Sequence, residues 1–327
     1  MKLKIVFKWI LVIFVGVVIL VPGYIKFLLP NVGSAPDLKV ERTPERIARG
    51  AYLANHVTVC IDCHSKRDWS RFSGPPIAGT FGMGGDLFDQ KFGFPGVYYA
   101  TNITPAGLVN YTDGELFRVI TTGVNREGKA MFPVMPYHYY GLMDEEDIKS
   151  IIAYIRTLQP IENEVPKSKS DFPMSFIINT IPDKAHYSKL PLKSDTVNYG
   201  KYLTTAAACL DCHTQVNHGQ LIAGFEYGGG REFPFPDGSI VRSTNISSED
   251  STGIGGWTRE RFIGSFRMHS DSTLLSIKLS PGSFNSIMPW SMYGKMTTGD
   301  LLSIFAYLKT VKPVKAKWIN FTPAQQK

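Results

Sequence analysis

Cysteine is scarce in this sequence of 327 residues, and acidic residues are missing from its first thirty positions. Because no cysteine lies directly after the apolar N-terminal segment, a lipoprotein is disfavoured. Four lysines in that segment supply more than half of the formal charge of +7, and the rest of the chain carries 31 basic and 28 acidic residues. So small an excess argues against nucleic acid as a partner. The 43% share of hydrophobic residues favours globular cores over disorder.

The N-terminal segment is apolar from Ile5 to Leu29 and lacks a small-x-small cleavage site directly after it. The nearest such site, at residues 33–35, lies late. The run from Ile5 to about Ile25 approaches the roughly 20 residues that cross a bilayer. We therefore expect residues 1–30 to form a membrane anchor, with an uncleaved signal as the alternative. The lysines at positions 2, 4 and 8 place the N terminus in the cytoplasm and the rest of the chain outside.

All four cysteines lie in two copies of one pattern: residues 60–64 read Cys-Ile-Asp-Cys-His, and residues 209–213 read Cys-Leu-Asp-Cys-His. This CxxCH pattern attaches c-type haem, because one helical turn presents both sulfurs to a single porphyrin and the histidine binds its iron. Zinc sites, redox pairs and disulfides also use CxxC. None of these alternatives explains why a histidine follows both pairs. A redox pair would also normally lie in a βαβ context, which the sequence lacks. The sequence predicts two covalent haem c groups on Cys60, Cys63, Cys209 and Cys212, with His64 and His213 as iron ligands.

The repetition extends beyond these motifs. Residues 49–53 (Arg-Gly-Ala-Tyr-Leu) precede the first motif, and residues 199–203 (Tyr-Gly-Lys-Tyr-Leu) precede the second. Further landmarks recur in the same order: Ile77-Ala78-Gly79 with Ile222-Ala223-Gly224, Thr101-Asn102-Ile103 with Thr244-Asn245-Ile246, and Ala153-Tyr154 with Ala306-Tyr307. Such order indicates a tandem duplication. We expect unit one at residues 43–160, a packed inter-domain linker at 161–196, unit two at 197–312 and a tail at 313–327.

Each unit has the pattern of a helical domain. Helix starts are predicted at Thr43, Thr112 and Asp144 in unit one, and at Trp257-Thr258 and Thr297 in unit two, because these segments supply N-cap residues or a helix-favouring first turn. The closing helix of each unit carries apolar residues at helical spacing: Ile148, Ile151, Ile152, Ile155 and Leu158, and Leu301, Ile304, Phe305 and Leu308. Gly50 and Gly200 are expected to let the opening helix cross closely over Tyr154 and Tyr307. The expected fold class is all-α: two class I cytochrome c domains after a transmembrane helix.

Two aligned methionines are the candidates for the second axial ligand of each iron. Met135 follows His64 by 71 residues, and Met288 follows His213 by 75. Each precedes a proline and a closing helix, on a loop that can reach over a haem. A methionine is often only core filler, and that is the simpler interpretation of the aligned pair Met143 and Met296. His138 could compete with Met135, although unit two has Ser291 at that position. Asn102 and Asn245 either contact haem propionates, brace the methionine loop or form turns.

These residues resemble the membrane-bound dihaem or trihaem cytochrome c subunits of bacterial alcohol, gluconate and nicotinate dehydrogenases. The likeness covers about residues 43 to 312 and rests on the CxxCH motifs, residues 49–53, residues 100–105, residues 135–137 and the Phe172-Pro173 segment. It implies class I cytochrome c folds, histidine and methionine as iron ligands, and electron transfer from a catalytic partner toward a quinone or oxidase. The chain differs from the trihaem members because it has no third CxxCH.

The sequence thus favours a membrane-tethered dihaem cytochrome c that is not itself an enzyme. It would relay electrons between a membrane or periplasmic dehydrogenase and a respiratory acceptor, an oxidase or a quinol-oxidising complex. Its two units would lie on the periplasmic side of a bacterial inner membrane. A dihaem peroxidase is the rival among enzymes, but it needs one iron that can open, and two methionine ligands disfavour that. Two further rivals are a dihaem subunit of a terminal oxidase and a zinc-binding or structural module.

Overall fold

The computed structural model describes residues 2–217, 219–268, 275–280 and 282–324. Its helices, in chain order, are α1 (Lys2–Phe27), α2 (Pro44–His56), α3 (Cys60–Cys63), α4 (Asp113–Thr122), α5 (Tyr137–Tyr140), α6 (Glu145–Ile155), α7 (Met174–Ile177), α8 (Thr196–Ala206), α9 (Cys209–Cys212), α10 (Arg259–Met268), α11 (Trp290–Tyr293) and α12 (Thr298–Leu308). Short 3₁₀ turns span Gln90–Phe92 and Ile178–Thr180. The strands are β1 (Leu87–Phe88), β2 (Gly96–Tyr99), β3 (Lys169–Ser170), β4 (Val216–Asn217), β5 (Gln220–Leu221), β6 (Glu232–Pro234), β7 (Ile240–Arg242) and β8 (Phe321–Thr322).

The prediction of an all-α fold is wrong, because three small antiparallel sheets accompany the helices. Each unit has a hairpin between its CxxCH motif and its next long helix: β1 pairs with β2, and β6 pairs with β7. A third strand is added from outside each unit, since β3 of the linker pairs with β2 and β8 of the tail pairs with β7. Strands of two to four residues are too short for alternation of apolar and polar residues to reveal them.

The helix starts follow the predicted capping residues. The side chain of Thr43 accepts from the N–H of Arg46, and Thr112 and Glu115 form a reciprocal capping box at α4. Asp144 and Thr297 cap the closing helices α6 and α12. Each cap satisfies a backbone N–H that would otherwise have no partner at the end of its helix.

The opening and closing helices of each unit cross closely at a glycine. A Cβ at Gly50 would overlap the carbonyl oxygen of Ser150 and come within 2.9 Å of the Cβ of Tyr154. A Cβ at Gly200 would overlap the carbonyl oxygen of Ser303 in the same way. The close crossing predicted for both glycines is therefore confirmed, and it takes place at these serine carbonyls.

The cores consist largely of the apolar faces predicted for the closing helices. Ile148, Ile151, Ile152 and Ile155 are buried in unit one, and Leu301, Ile304, Phe305 and Leu308 are buried in unit two, whereas Leu158 is half-buried. Met143 and Met296 are buried as well, at 0% and 2% exposure. Complete burial in the apolar core agrees with a packing role for this pair.

The two units contact each other through matching tyrosine–aspartate pairs. The hydroxyl of Tyr52 on α2 donates to Asp300 Oδ2 near the start of α12, at 2.5 Å. The hydroxyl of Tyr202 on α8 donates to Asp147 Oδ2 near the start of α6, at 2.7 Å. Burial is the main cause that raises the pKa of both phenols. The next cause is the hydrogen bond to Asp300 for Tyr52 and the nearby charge of Asp147 for Tyr202. Each opening helix thus contacts the closing helix of the other unit, and the units form an approximate two-fold pair.

The N-terminal helix is long and apolar enough to cross a membrane from Leu3 to Phe27, and it is a candidate membrane anchor. Its end contacts the linker, where the side-chain amide of Asn179 donates to the carbonyl oxygen of Ile25 at 3.2 Å. We expected the apolar part of the linker to pack across both units. Its two phenylalanines are instead exposed, Phe172 at 84% and Phe176 at 40%, in a segment that lies beside α1.

Candidate functional site

Both CxxCH motifs fold into the same single helical turn. In α3 and α9 the two cysteines mark the ends of one turn, and the N–H of the following histidine donates to the carbonyl of the first cysteine. The preceding residues, Val59 and Ala208, have left-handed backbones with φ of 46° and 51°. A left-handed valine is sterically costly. The same left-handed backbone precedes both motifs, at Val59 and at Ala208, and the sequence pattern did not reveal it.

The motif histidines are held in one orientation by backbone carbonyls. His64 Nδ1 lies 2.7 Å from the carbonyl oxygen of Thr101, and His213 Nδ1 lies 2.8 Å from that of Thr244. Because a carbonyl only accepts, Nδ1 carries the hydrogen, and Nε2 is left with its lone pair. No described group hydrogen-bonds either Nε2. Burial lowers the pKa of both rings, which favours the neutral imidazole that binds a metal.

A glycine packs against the backbone of each motif histidine and of the threonine that orients it. We did not identify either glycine from the sequence. The N–H of Gly84 donates to the carbonyl of His64, and that of Gly229 donates to the carbonyl of His213. Both glycines have positive φ, and a Cβ on either would overlap the backbone of the threonine that binds the histidine. The aligned Gly-Gly pairs at residues 84–85 and 229–230 were the available signal.

The pKa shifts of the motif thiols differ from those of a redox pair. All four are free, and burial raises the pKa of each, to about 12 for Cys209 and about 11 for Cys212. Redox CxxC pairs normally have a lowered thiol pKa. In the described part of the chain, no three or more His, Cys, Asp or Glu side chains cluster as metal ligands. The two CxxC pairs are therefore not brought together in one such cluster.

The methionine loops of the two units have the same local structure. Pro136 and Pro289 begin the short helices α5 and α11, and the second residue after each methionine donates its N–H back to the methionine carbonyl at 2.8 Å. Met135 and Met288 are half-buried beside the core. His138 is exposed, and its ring lies 4.2 Å from that of Tyr139.

A tyrosine connects each methionine loop to the CxxCH motif of its own unit. The Tyr140 hydroxyl donates to the carbonyl of Thr58, and the Tyr293 hydroxyl donates to the carbonyl of Ala207, both at 2.9 Å. Each acceptor lies two residues before the first motif cysteine. The structure thus brings the methionine loop and the motif of each unit together, as a two-sided site for one haem requires.

The aligned asparagines form turns. The amide of Asn102 donates to the carbonyl of Ile161, and its oxygen accepts from the N–H of Thr104. The amide of Asn245 donates to the carbonyl of Val314, and its oxygen accepts from the N–H of Ser247. Both asparagines therefore connect the loop after each hairpin to the chain that follows the closing helix, and the turn interpretation is the one these contacts support.

A loop of unit one also supports the methionine loop of unit two. The hydroxyl of Ser73 donates to the carbonyl of Met288 at 2.5 Å and accepts from the N–H of Trp290 at 3.2 Å. The N–H of Ser73 donates to Asn285 Oδ1. Ser73 is fully buried and has φ of 65°, which is unusual for serine. The repeat pattern does not indicate this cross-unit contact, because the interval that contains Ser73 is 13 residues long in unit one (His64 to Ile77) and 9 in unit two (His213 to Ile222).

The charges beside the motifs differ between the units. In unit one the guanidinium of Arg67 lies 3.2 Å from Asp62 and 3.9 Å from Asp86, all largely buried. Burial raises the pKa of both carboxyls to about 6, although Arg67 opposes the shift. In unit two Arg231 pairs with Asp211 at 3.0 Å in a more exposed position. Since nearby charge and burial affect a haem's potential, the two sites offer different environments.

No protein-family model matches the chain, but curated proteins do. The fructose dehydrogenase cytochrome subunit of Gluconobacter japonicus is 29% identical over 249 residues, which cover 70% of this chain and 46% of that protein. The alcohol dehydrogenase (quinone) cytochrome c subunit of Gluconacetobacter polyoxogenes is 24% identical over 293 residues, 84% of this chain and 58% of that protein. The gluconate 2-dehydrogenase cytochrome c subunit of Pantoea cypripedii is 23% identical over 295 residues, 86% and 63% respectively.

These homologues are cytochrome c subunits of fructose, alcohol and gluconate dehydrogenases, and the resemblance recognised in the motifs of this chain is confirmed. The chain spans only 46% to 63% of the length of these three relatives.

Proposed function

We propose that this homologue of dehydrogenase cytochrome c subunits is a dihaem electron carrier, which takes electrons from a dehydrogenase and delivers them to a respiratory acceptor. The observation that carries the proposal is the repeated histidine geometry. In both motifs a backbone carbonyl holds Nδ1–H, so that a neutral Nε2 is presented beside two free thiols on one helical turn. This donor set has the chemistry that a covalent haem c needs.

The residues proposed to hold the two haems are the eight identified from the sequence. Cys60 and Cys63, and Cys209 and Cys212, would form the thioether bonds; His64 and Met135, and His213 and Met288, would be the axial iron ligands. When bound, each haem supplies a one-electron carrier, and a methionine ligand raises its potential. The chain contributes neutral, oriented imidazoles, methionine loops fixed by proline and tyrosine, and apolar cores that limit contact with water.

We also propose that α1 anchors the protein in the bacterial inner membrane with both units on the periplasmic side. The basic N terminus favours the cytoplasm by the positive-inside rule, and the chain beyond α1 then lies outside. Enzymes attach haem c on that side of the membrane. A dehydrogenase is the proposed electron donor, as the names of the relatives indicate, and an oxidase or a quinol-oxidising complex is the proposed respiratory partner. The chain itself would catalyse no reaction.

The decisive experiment combines haem counting with ligand substitution in detergent-solubilised protein. A pyridine haemochrome assay should give two haems per chain. Met135→Ala and Met288→Ala should each remove about half of the sulfur-to-iron charge-transfer absorbance and lower the potential of one haem. Met143→Leu and Met296→Leu are matched controls, because both methionines are core residues whose volume leucine preserves.

Two results would contradict the proposal. Survival of the full absorbance band in both alanine variants would show that other residues bind the irons. A high-spin or bis-histidine haem in the unmodified protein, together with turnover of hydrogen peroxide, would favour the dihaem peroxidase instead. Release of the full-length chain from membranes by alkaline carbonate would contradict the anchor.

A further inference from the structure

Unit two has an open groove of about 650 Å³ among its helices. The first turns of α8, the start of α10 and the outer face of α12 line it. Tyr199 and Ala306 are part of its surface, and Lys193, Arg259 and Lys309 surround it. A concave site with several positive charges at its edge is suited to an acidic ligand.

In unit one an extended segment of the chain itself lies at the equivalent place. Residues 36–42 precede α2 without helical or strand structure. Val40 is buried in the core at 6% exposure, and its N–H donates to Asp113 Oδ2 at the start of α4, at 2.9 Å. The carbonyl of Pro36 lies so close to Gly114 that a Cβ there would overlap it. Unit one therefore shows how an extended peptide covers this surface.

The exposure of an aligned pair of residues shows that this surface is covered in unit one and open in unit two. Ala153 of α6 is 0% exposed, whereas its equivalent Ala306 of α12 is partly exposed. The helix starts also align, because Thr112 and Thr258 each accept the N–H three residues later. By this alignment Arg259 stands where unit one has Asp113.

The linker explains why no described residue covers the groove of unit two. Before it reaches α8, the linker runs along unit one, where the N–H of His186 donates to the carbonyl of Gly141 and the N–H of Leu190 donates to Asp144 Oδ2. Leu192, close to α8, is left 77% exposed. The segment that would correspond to residues 36–42 is therefore held elsewhere.

The charges of the groove define what it would bind. In unit one the equivalent charges pair internally, as Arg156 does with Asp113 at 3.0 Å. Among the described carboxylates, none lies within ion-pair distance of Lys193, Arg259 or Lys309, although the ammonium of Lys309 donates to the carbonyl of Gly255. The acid at the groove, Asp300, is buried and accepts the Tyr52 hydroxyl. Where Asp113 accepts an N–H from Val40, unit two has the exposed guanidinium of Arg259, which can donate to a carboxylate.

We propose that this groove of unit two binds an extended segment of a partner polypeptide, with one apolar side chain at its centre and carboxylates facing Lys193, Arg259 and Lys309. It would lie across the start of α10 as residues 36–42 lie across the start of α4. Naming that partner as the redox partner rests on the proposed function, but the groove itself does not. None of its residues is a proposed haem ligand, so loss of peptide binding and loss of haem ligation are distinguishable.

The probe for this site is a labelled synthetic peptide with the sequence of residues 34–43 carrying Lys39→Glu and Arg42→Glu. Binding to the full-length haem-loaded chain in detergent is measured by fluorescence anisotropy at moderate salt. We expect saturable binding that Arg259→Glu and Lys309→Glu each weaken about tenfold, because each reverses a charge at the binding surface. Ala306→Trp should weaken it as well, since a large side chain fills the groove.

Three controls make the result decisive. Lys129→Glu reverses an exposed charge of unit one and should leave binding unchanged. Met288→Ala should alter the haem spectrum and leave binding unchanged. A scrambled peptide of the same composition should bind about tenfold more weakly. The proposal would be overturned by an absence of saturable binding, by equal binding of the scrambled peptide, or by an equal loss of binding in Lys129→Glu. An unchanged haem spectrum in Arg259→Glu would show that this variant is folded.

Discussion

The hydroxyl of Tyr140 donates to the carbonyl oxygen of Thr58 at 2.9 Å, and both groups are buried. This contact joins the helix that follows Met135 to the residue two positions before Cys60. Tyr293 and Ala207 repeat it in unit two at the same distance. Two elements that lie 82 residues apart in the sequence of unit one, and 86 apart in unit two, are thereby held together at one site in each unit.

We expect Tyr140→Phe to lower the free energy of unfolding by about 1–3 kcal/mol, because the buried carbonyl of Thr58 loses its partner. In the proposed holoprotein, the sulfur-to-iron absorbance of unit one should also disappear at a lower temperature. Tyr293→Phe is the matched variant for unit two. Thermal scans of absorbance in Met288→Ala and Met135→Ala backgrounds assign the effect to one unit. An equal effect of Tyr140→Phe on both units would contradict this local role.

Ser73→Ala should weaken the Met288 loop of the other unit, because the carbonyl of Met288 and the N–H of Trp290 both lose their hydrogen bonds to the Ser73 hydroxyl, although the 2.8 Å bond between them remains. In a Met135→Ala background, where unit two alone supplies the band, we expect the sulfur-to-iron absorbance to be lost about 5–10 °C earlier on heating. In a Met288→Ala background the same substitution should have little effect. Ser175→Ala, at an exposed serine of the linker, is the control, and equal shifts in both backgrounds would show a merely global effect.

Gly50→Ala and Gly200→Ala should each destabilise the protein by about 3 kcal/mol or more, since the added methyl meets a serine carbonyl of the closing helix. Gly264→Ala is the control, because no atom lies within 4 Å of a Cβ at that helical position. There alanine should be neutral or stabilise by up to about 1 kcal/mol. Denaturant unfolding followed by tryptophan fluorescence measures all three variants, and similar values for them would refute the close crossing.

The buried Asp86 should make stability depend on pH in the acid range. Its pKa is raised by burial to about 6, so the folded chain binds more protons than the unfolded chain above about pH 4. Stability contributed by this group is present at low pH and is lost as pH rises through about 6. Between about pH 4 and 7 the free energy of unfolding should fall less in Asp86→Asn than in the unmodified protein, by up to about 2 kcal/mol.

The pH prediction is measured as the difference between variant and unmodified protein in denaturant unfolding at several pH values. Asp37→Asn changes an exposed aspartate before α2 and should not alter the slope. Because Asp62 keeps its own raised pKa, part of the decline should persist in Asp86→Asn. A slope identical to that of the unmodified protein would show that Asp86 titrates as an ordinary surface carboxyl.

The sequence by itself determined the features that depend on local pattern. The CxxCH spacing defines one helical turn, capping residues place the helix starts, and apolar spacing marks the buried faces of the closing helices. Repetition added the alignment of Met135 with Met288, and the motifs sufficed to recognise the dehydrogenase cytochrome subunits. The ligand roles of these residues and the unit boundaries stay predictions.

The tertiary structure decided what joins residues far apart in the chain. It added third strands from the linker and the tail, which overturned the all-α prediction, and it directed Ser73 of one unit to the Met288 loop of the other. It also left the groove of unit two open while residues 36–42 cover its equivalent in unit one. Such contacts follow from the docking of segments whose local sequence has no period or motif, so only the folded chain reveals them. The CxxCH turns could be recognised from the sequence because the hydrogen bond that closes each turn joins residues only four positions apart, the motif histidine and the first cysteine.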